Sequence, residues 1–129
     1  MTIKKFNEFL NEGRNSDKEI NGNKIWRDDM DNTELIYAAQ NEDDDITEVK
    51  ALIEQGIDVN DANHDGTTPL IVACENGNIK IARFLIENGA DVNAKAEDYP
   101  GAFPSALVAA TTIGRTDIVK LLKQHGAIK

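Results

Sequence analysis

Cysteine and tryptophan each occur once in this 129-residue chain, proline occurs three times, and aromatic residues make up only 5% of it. A lone thiol, Cys74, cannot close an intramolecular disulfide, so no oxidising compartment is implied. No apolar run approaches the length needed to cross a bilayer. At the start of the chain, Asn7, Glu8, Asn11 and Glu12 break up the stretch that a secretion signal would keep apolar. A cytoplasmic protein is the simplest expectation. Reactive side chains are also scarce: there are two serines (Ser16, Ser105) and two histidines (His64, His125), with no glycine-rich phosphate loop and no zinc-ligand spacing. The pattern excludes no chemistry outright, but it offers no catalytic constellation, no metal site and no cofactor site.

Positive charge is in deficit too, and unevenly. Residues 1–30 hold six Lys/Arg and six Asp/Glu, whereas residues 31–129 hold eight against seventeen, so the whole net charge of −9 lies in the body of the chain. An acidic body repels phosphate, which argues against nucleic acid as a partner and leaves neutral or basic proteins.

What the chain does have is self-similarity. Gly56-Ile57-Asp58-Val59-Asn60 recurs thirty-three residues later as Gly89-Ala90-Asp91-Val92-Asn93, and Gly126-Ala127 begins a third copy. Leu52, Leu85 and Leu122 each precede their glycine by four residues, and Val49, Ala82 and Val119 by seven. Further upstream, Leu70-Ile71-Val72-Ala73-Cys74 matches Leu35-Ile36-Tyr37-Ala38-Ala39 and Leu107-Val108-Ala109-Ala110-Thr111. A fixed period of this length marks a repeat array.

Each unit reads as two short helices. Thr68 is placed to cap the first, with Pro69 at the first helical position, where its missing N–H costs nothing. Gly77 supplies the left-handed stop, and Asn78 is placed to cap the second helix, which runs to Gly89. Ala38, Ala39, Ala73, Cys74 and Ala110 are small enough to let neighbouring helices approach closely. Helices this short are marginal alone in water, so stacking must hold them. In the second helix of the middle unit, Ile81, Ala82, Phe84, Leu85 and Ile86 form a wide apolar band suited to neighbours on both sides. In the last unit Lys123 stands at the register of Ile86, while Lys120 and Gln124 face outward, which suits a terminal repeat.

With these residues in hand, Asp65-Gly66-Thr67-Thr68-Pro69-Leu70, Ala73, Gly77, Ile81, Leu85 and Gly89-Ala90-Asp91-Val92-Asn93 resemble an ankyrin repeat, and the resemblance covers about residues 31–129. It implies an all-α solenoid of three stacked helix-turn-helix units with projecting fingers, at about 31–60, 61–93 and 94–129. It also implies a non-catalytic adaptor or inhibitor that acts as a monomer and binds a protein partner through fingers and first helices. The outer copies depart from the family pattern. Thr33-Glu34-Leu35 lacks the proline and is followed by the acidic run Asn41-Glu42-Asp43-Asp44-Asp45 in place of a tight glycine turn. Ser105-Ala106-Leu107 also lacks it, and the finger before it, residues 95–104, is four residues longer.

The partner-binding residues implied by the resemblance are His64, Asp65 and Thr67 at a finger tip, Glu75 and Asn76 at the end of a first helix, and Thr112 and Ile113 at the matching place in the last unit. Asn32, Gln40 and Asn41 correspond to them in the first unit. Asp98, Tyr99 and Phe103 on the long finger are added as aromatic and acidic contacts; the alternative is that the two rings fold back over the third repeat. Asp61-Ala62-Asn63-His64-Asp65-Gly66 matches the opening of a calcium loop, but Val72 stands where the bidentate glutamate would be, so a turn is the better reading. Cys74 belongs to the core, Ser105 to a helix cap and His125 to a helix C-terminus.

Residues 1–30 read as an extension. Ile3, Phe6, Phe9 and Leu10 form a short apolar stripe open to three readings, a second cap, a docking peptide or a removable leader, Gly13 to Lys24 form a polar linker, and Trp26 a cover for the open end of the first repeat. The first twelve residues also resemble the leader peptides of internal head proteins in large tailed bacteriophages, with Leu10-Asn11-Glu12 as the cleavage site. That resemblance implies a second function, a structural or packaged component with a removable leader.

Overall fold

A computed structural model of the chain describes residues 18–20, 23–25, 32–97 and 103–128. Six short helices occupy the body in three consecutive pairs: α1 (Glu34–Ala38) with α2 (Thr47–Glu54), α3 (Pro69–Glu75) with α4 (Ile79–Glu87), and α5 (Ala106–Thr112) with α6 (Thr116–Gln124). Within each pair the helices pack on each other. Between pairs, α1 packs on α3, α3 on α5, and α4 on α6, which gives an all-α stack. Upstream, strands β1 (Lys18–Ile20) and β2 (Asn23–Ile25) form a small antiparallel ladder with Lys18 opposite Ile25, overlapping the stretch expected to be a linker. The apolar stripe, the leader site Leu10-Asn11-Glu12 and the covering role of Trp26 all fall outside the described residues.

The first helices start alike. Thr33, Thr68 and Ser105 are buried, have extended backbone, and accept a hydrogen bond from the amide three residues on, that of Ile36, Ile71 and Val108 respectively, at 3.4, 3.2 and 3.2 Å. A proline at the first helical position is therefore dispensable; the hydroxyl at the cap is what recurs. The small residues do what their size predicts, since Ala38, Ala39, Ala73, Cys74 and Ala110 are all buried between neighbouring helices. With Leu35, Leu70, Ile71, Ile81, Leu85, Ile118 and Leu122 they make one continuous core through all three pairs.

The second helices are anchored differently from the sequence expectation. Asn78 makes no cap bond to α4. Its buried side chain instead reaches back one repeat and donates from Nδ2 to the carbonyl of Ala39 at 2.8 Å. The cap comes from the first repeat, where the Lys80 and Ile81 amides donate to Oδ2 and Oδ1 of Asp44 at 2.9 and 3.0 Å. Asp44 has φ +52°, so it supplies the left-handed turn that Gly77 (φ +73°) and Gly114 supply in the later units. Its neighbour Asp45 accepts from both the amide and the hydroxyl of Thr47 at the start of α2. Those two bonds, the hydroxyl first, hold the Asp45 carboxyl below its ordinary pKa. The acidic run thus serves two helix starts, where carboxylates complement the positive end of the dipole.

In the last unit Arg115 occupies the register of Asn78. It sends Nη1 back to the Gly77 carbonyl at 2.6 Å, while Nε and Nη2 fork onto Asp117 at 3.1 and 2.8 Å. On the outer side of this unit Lys120, Lys123 and Gln124 are exposed. Even so, Leu107, Val108, Thr111, Lys123 and Ala127 line an open, largely apolar groove of about 410 Å³ there.

The recurrent asparagine of the Gly-x-Asp-Val-Asn segment staples one repeat to the next. Asn60 donates to the Gly89 carbonyl at 3.1 Å and accepts from the Asp91 amide at 2.7 Å. Asn93 donates to the Gly126 carbonyl at 3.1 Å and accepts from the Ile128 amide at 2.8 Å.

Asp44→Ala removes two charge-assisted bonds to α4 and places a Cβ-bearing residue without a local acceptor at positive φ. We expect a loss of roughly 1–2 kcal/mol in urea unfolding. Asp44→Gly, which tolerates the backbone, should lose less. Equal losses would show that the backbone conformation contributes nothing.

Candidate functional site

The first helices lie side by side, so their two ends form two parallel rows. One row is the fingers that lead into α1, α3 and α5, and the other is the residues that leave them. A seven-residue helix separates the rows by about 10 Å.

The finger row is laced. Asn63 Nδ2 donates to Asn32 Oδ1 at 2.9 Å, joining the first finger to the second. The Glu97 amide donates to the Asp65 carbonyl at 2.8 Å, joining the second to the third. Within the second finger the Asn63 amide donates to the Thr67 carbonyl, and Asn63 Oδ1 accepts from the amides of Asp65 and Thr67 at 3.0 Å each. The resemblance of Asp61–Gly66 to a calcium loop is thus a closed turn whose central carboxamide oxygen is spent on backbone amides. Gly66 at its tip has φ +81°, and a Cβ there would meet the Lys95 carbonyl at 3.1 Å, so glycine is required twice over. The base of the third finger is closed by the Ala96 amide donating to the Pro104 carbonyl at 2.8 Å.

His64 is exposed at this tip, with Asp65 and Thr67 half-buried beside it. In the helix-end row Asn76 is exposed and Glu75 half-buried, while Thr112 and Ile113 are exposed at the same register one repeat on. Two of these polar groups are partly committed. Asn76 Nδ2 donates to the Val72 carbonyl at 2.8 Å, and Thr112 Oγ1 to the Val108 carbonyl at 2.8 Å. Ile113, 39% exposed, is one of two exposed large hydrophobic residues among those described; the other is Ile128. On the long finger Phe103 is half-buried and packed against the core, on the covering side of the two readings offered for it. Asp98 and Tyr99 lie outside the described residues.

Ser105, Cys74 and His125 lie outside both rows. Ser105 Oγ accepts from the Val108 amide and is buried. Cys74 is buried in the core, and desolvation, with the nearby Glu75 charge as a smaller cause, pushes its thiol up to about 12. His125 is the exposed C-cap of α6. The sequence reading missed Arg115 and Asp44, because each acts on a helix one repeat away from its own. The shared register of Asn78 and Arg115 was the available signal.

A family model described as ankyrin repeats in three copies matches residues 5–96, and one described as ankyrin repeats in many copies matches residues 71–123. Over 60 residues the chain is 43% identical to protein phosphatase 1 regulatory subunit 27 of Mus musculus, covering 46% of this chain and 38% of that protein. Over 83 residues it is 39% identical to 26S proteasome non-ATPase regulatory subunit 10 of Dictyostelium discoideum, covering 64% of this chain and 34% of that protein. The ankyrin repeat domain-containing protein oryK of Aspergillus oryzae is 39% identical over 80 residues, 62% of this chain and 12% of its own length. The chain spans well under half of each of these relatives.

Because Cys74 is sealed in the core and its thiol is held protonated, alkylation by iodoacetamide at pH 8 should be negligible in the native protein. It should become complete in urea, with the labelling midpoint matching the unfolding midpoint by circular dichroism. Prompt labelling without unfolding would show an opening between α3 and its neighbours.

Proposed function

The chain belongs to the ankyrin repeat family, and from that premise we propose that it is a non-catalytic adaptor or inhibitor that grips a protein partner along its fingers and first-helix ends. The observation that carries this reading is the pair of parallel rows. Fingers tied together by Asn32–Asn63 and Asp65–Glu97 hold their tips in fixed register with Gln40, Asn76 and Thr112 at the far ends of the helices. Such a surface loses little conformational entropy on binding, because its backbone is already ordered. A standard specific interface buries roughly 800 Å² per partner, which three repeats can offer on one side.

The relatives support the same class of role, since two of them are named as regulatory subunits of larger enzymes. Ser105, spent on a helix cap, and Cys74, buried in the core, fit the same role. Among the described residues no helix is long and apolar enough to cross a membrane. A single reduced cysteine fits an intracellular setting. We read the working unit as one copy of the chain engaging a different protein, and the acidic surface as disfavouring nucleic acid.

The test compares two faces. Asn76→Arg with Thr112→Arg places bulk and charge in the helix-end row, whereas Lys50→Glu with Lys120→Glu alters exposed positions on second helices. Proteins that co-purify with the wild-type chain from its native cell should be lost with the first pair and kept with the second, both variants melting within a few degrees of wild type. Loss with the second pair alone would move the binding surface to the opposite side.

A further inference from the structure

One charged group on the first-helix side has no use within the fold. Glu75 ends α3, half-buried, and among the described residues no side chain, amide or ion pairs with its carboxylate. Burial raises its pKa above the ordinary carboxylate value, with no other cause opposing the shift. Its place at a helix C-terminus adds to the cost, because the dipole there disfavours a negative charge. Arg115 on the neighbouring repeat has all three nitrogens committed to Asp117 and to the Gly77 carbonyl.

Apolar surface lies at the same end of the first-helix row. Ile113, exposed on the neighbouring repeat, extends its Cδ1 to 3.8 Å from the point where a Cβ on Gly77 would stand, two residues beyond Glu75. An unpaired carboxylate in a partly dry setting and an exposed aliphatic chain on the neighbouring repeat are both costs carried by the free protein. A ligand that supplies a cation to one and apolar contact to the other relieves both costs at once. The net charge of −9 favours the approach of such a ligand from a distance.

Building on the interaction-module reading, we propose that Glu75 and Ile113 form the anchor of the binding face, and that the partner presents a basic side chain next to an apolar one in an exposed segment. The basic group pairs with the Glu75 carboxylate and the apolar group packs on Ile113. Arginine fits better than lysine: its planar guanidinium forks onto a carboxylate, and it is weakly hydrated enough to lie against an aliphatic chain.

The test uses the full chain as bait for a displayed library of random twelve-residue peptides, followed by titration of one selected synthetic peptide. Selected peptides should be enriched in Arg or Lys adjacent to Leu, Ile, Val or Met. Glu75→Gln should weaken the peptide roughly tenfold or more while leaving the melting curve unchanged or raised. Ile113→Ser should weaken it severalfold. Glu75→Lys should abolish binding and should recover it for a peptide whose basic residue is replaced by Glu. Absence of basic enrichment, or a peptide that binds Glu75→Gln as well as wild type yet is lost with Asn76→Arg and Thr112→Arg, overturns the anchor and leaves the first-helix face standing. Peptides indifferent to all of these substitutions, or no selected peptide at all, overturn both.

Discussion

No helix in this stack could survive on its own in water. They run from five to nine residues, shorter than isolated helices need, and each persists because its apolar side lies against the next pair. Contact between repeats is therefore the interaction on which everything else rests. It is made in three chemically distinct ways. Small side chains allow α1, α3 and α5 to approach closely. Asn78, Arg115 and Asp44 join backbone at the turns. Asn60 and Asn93 join backbone at the far ends of the second helices. Each polar tie satisfies a main-chain group that would otherwise be left at a helix end or turn, so these bonds complete the backbone's own hydrogen bonding as well as joining repeats.

The binding face follows from the same constraint. Stacking requires the first helices to align, and alignment sets their starts and ends in rows. The rows are rigid because fingers and turns share bonds across repeats, so side chains on them can differ freely without changing the scaffold beneath. His64, Asn76 and Thr112 occupy such positions, and none of them is buried in the core. Glu75 and Ile113 are set apart by being costly where they stand, one as a half-dry carboxylate and the other as exposed aliphatic surface.

Much of this was legible in the residues. The period placed the three helix pairs, Thr68-Pro69 and Ser105 located helix starts, and the small residues located the close helix contacts. What misled was locality. Asn78 was read as a cap for the helix it precedes, because caps are recognised by spacings of two or three residues. The real cap, Asp44, lies thirty-six residues earlier from Lys80, and no local pattern connects them. The acidic run around it read only as a replacement for a tight glycine turn, for the same reason. The asparagines of the repeated segment were visible as a recurrence, yet their purpose needed the neighbouring turn in space. The polar stretch between Gly13 and Lys24 carried turn-rich composition, which does not distinguish a linker from the small strand ladder that overlaps it.

Asn60 and Asn93 hold their partner glycines in the same manner across twenty-nine and thirty-three residues of chain, respectively. The same pair of bonds thus forms in both units although the third finger is four residues longer. Loop length and scaffold geometry are independent variables in this architecture. A projecting segment can be lengthened, shortened or exchanged for one of different chemistry while the modules on either side keep their seat, so new specificity can be acquired by editing a protrusion and not by redesigning a core.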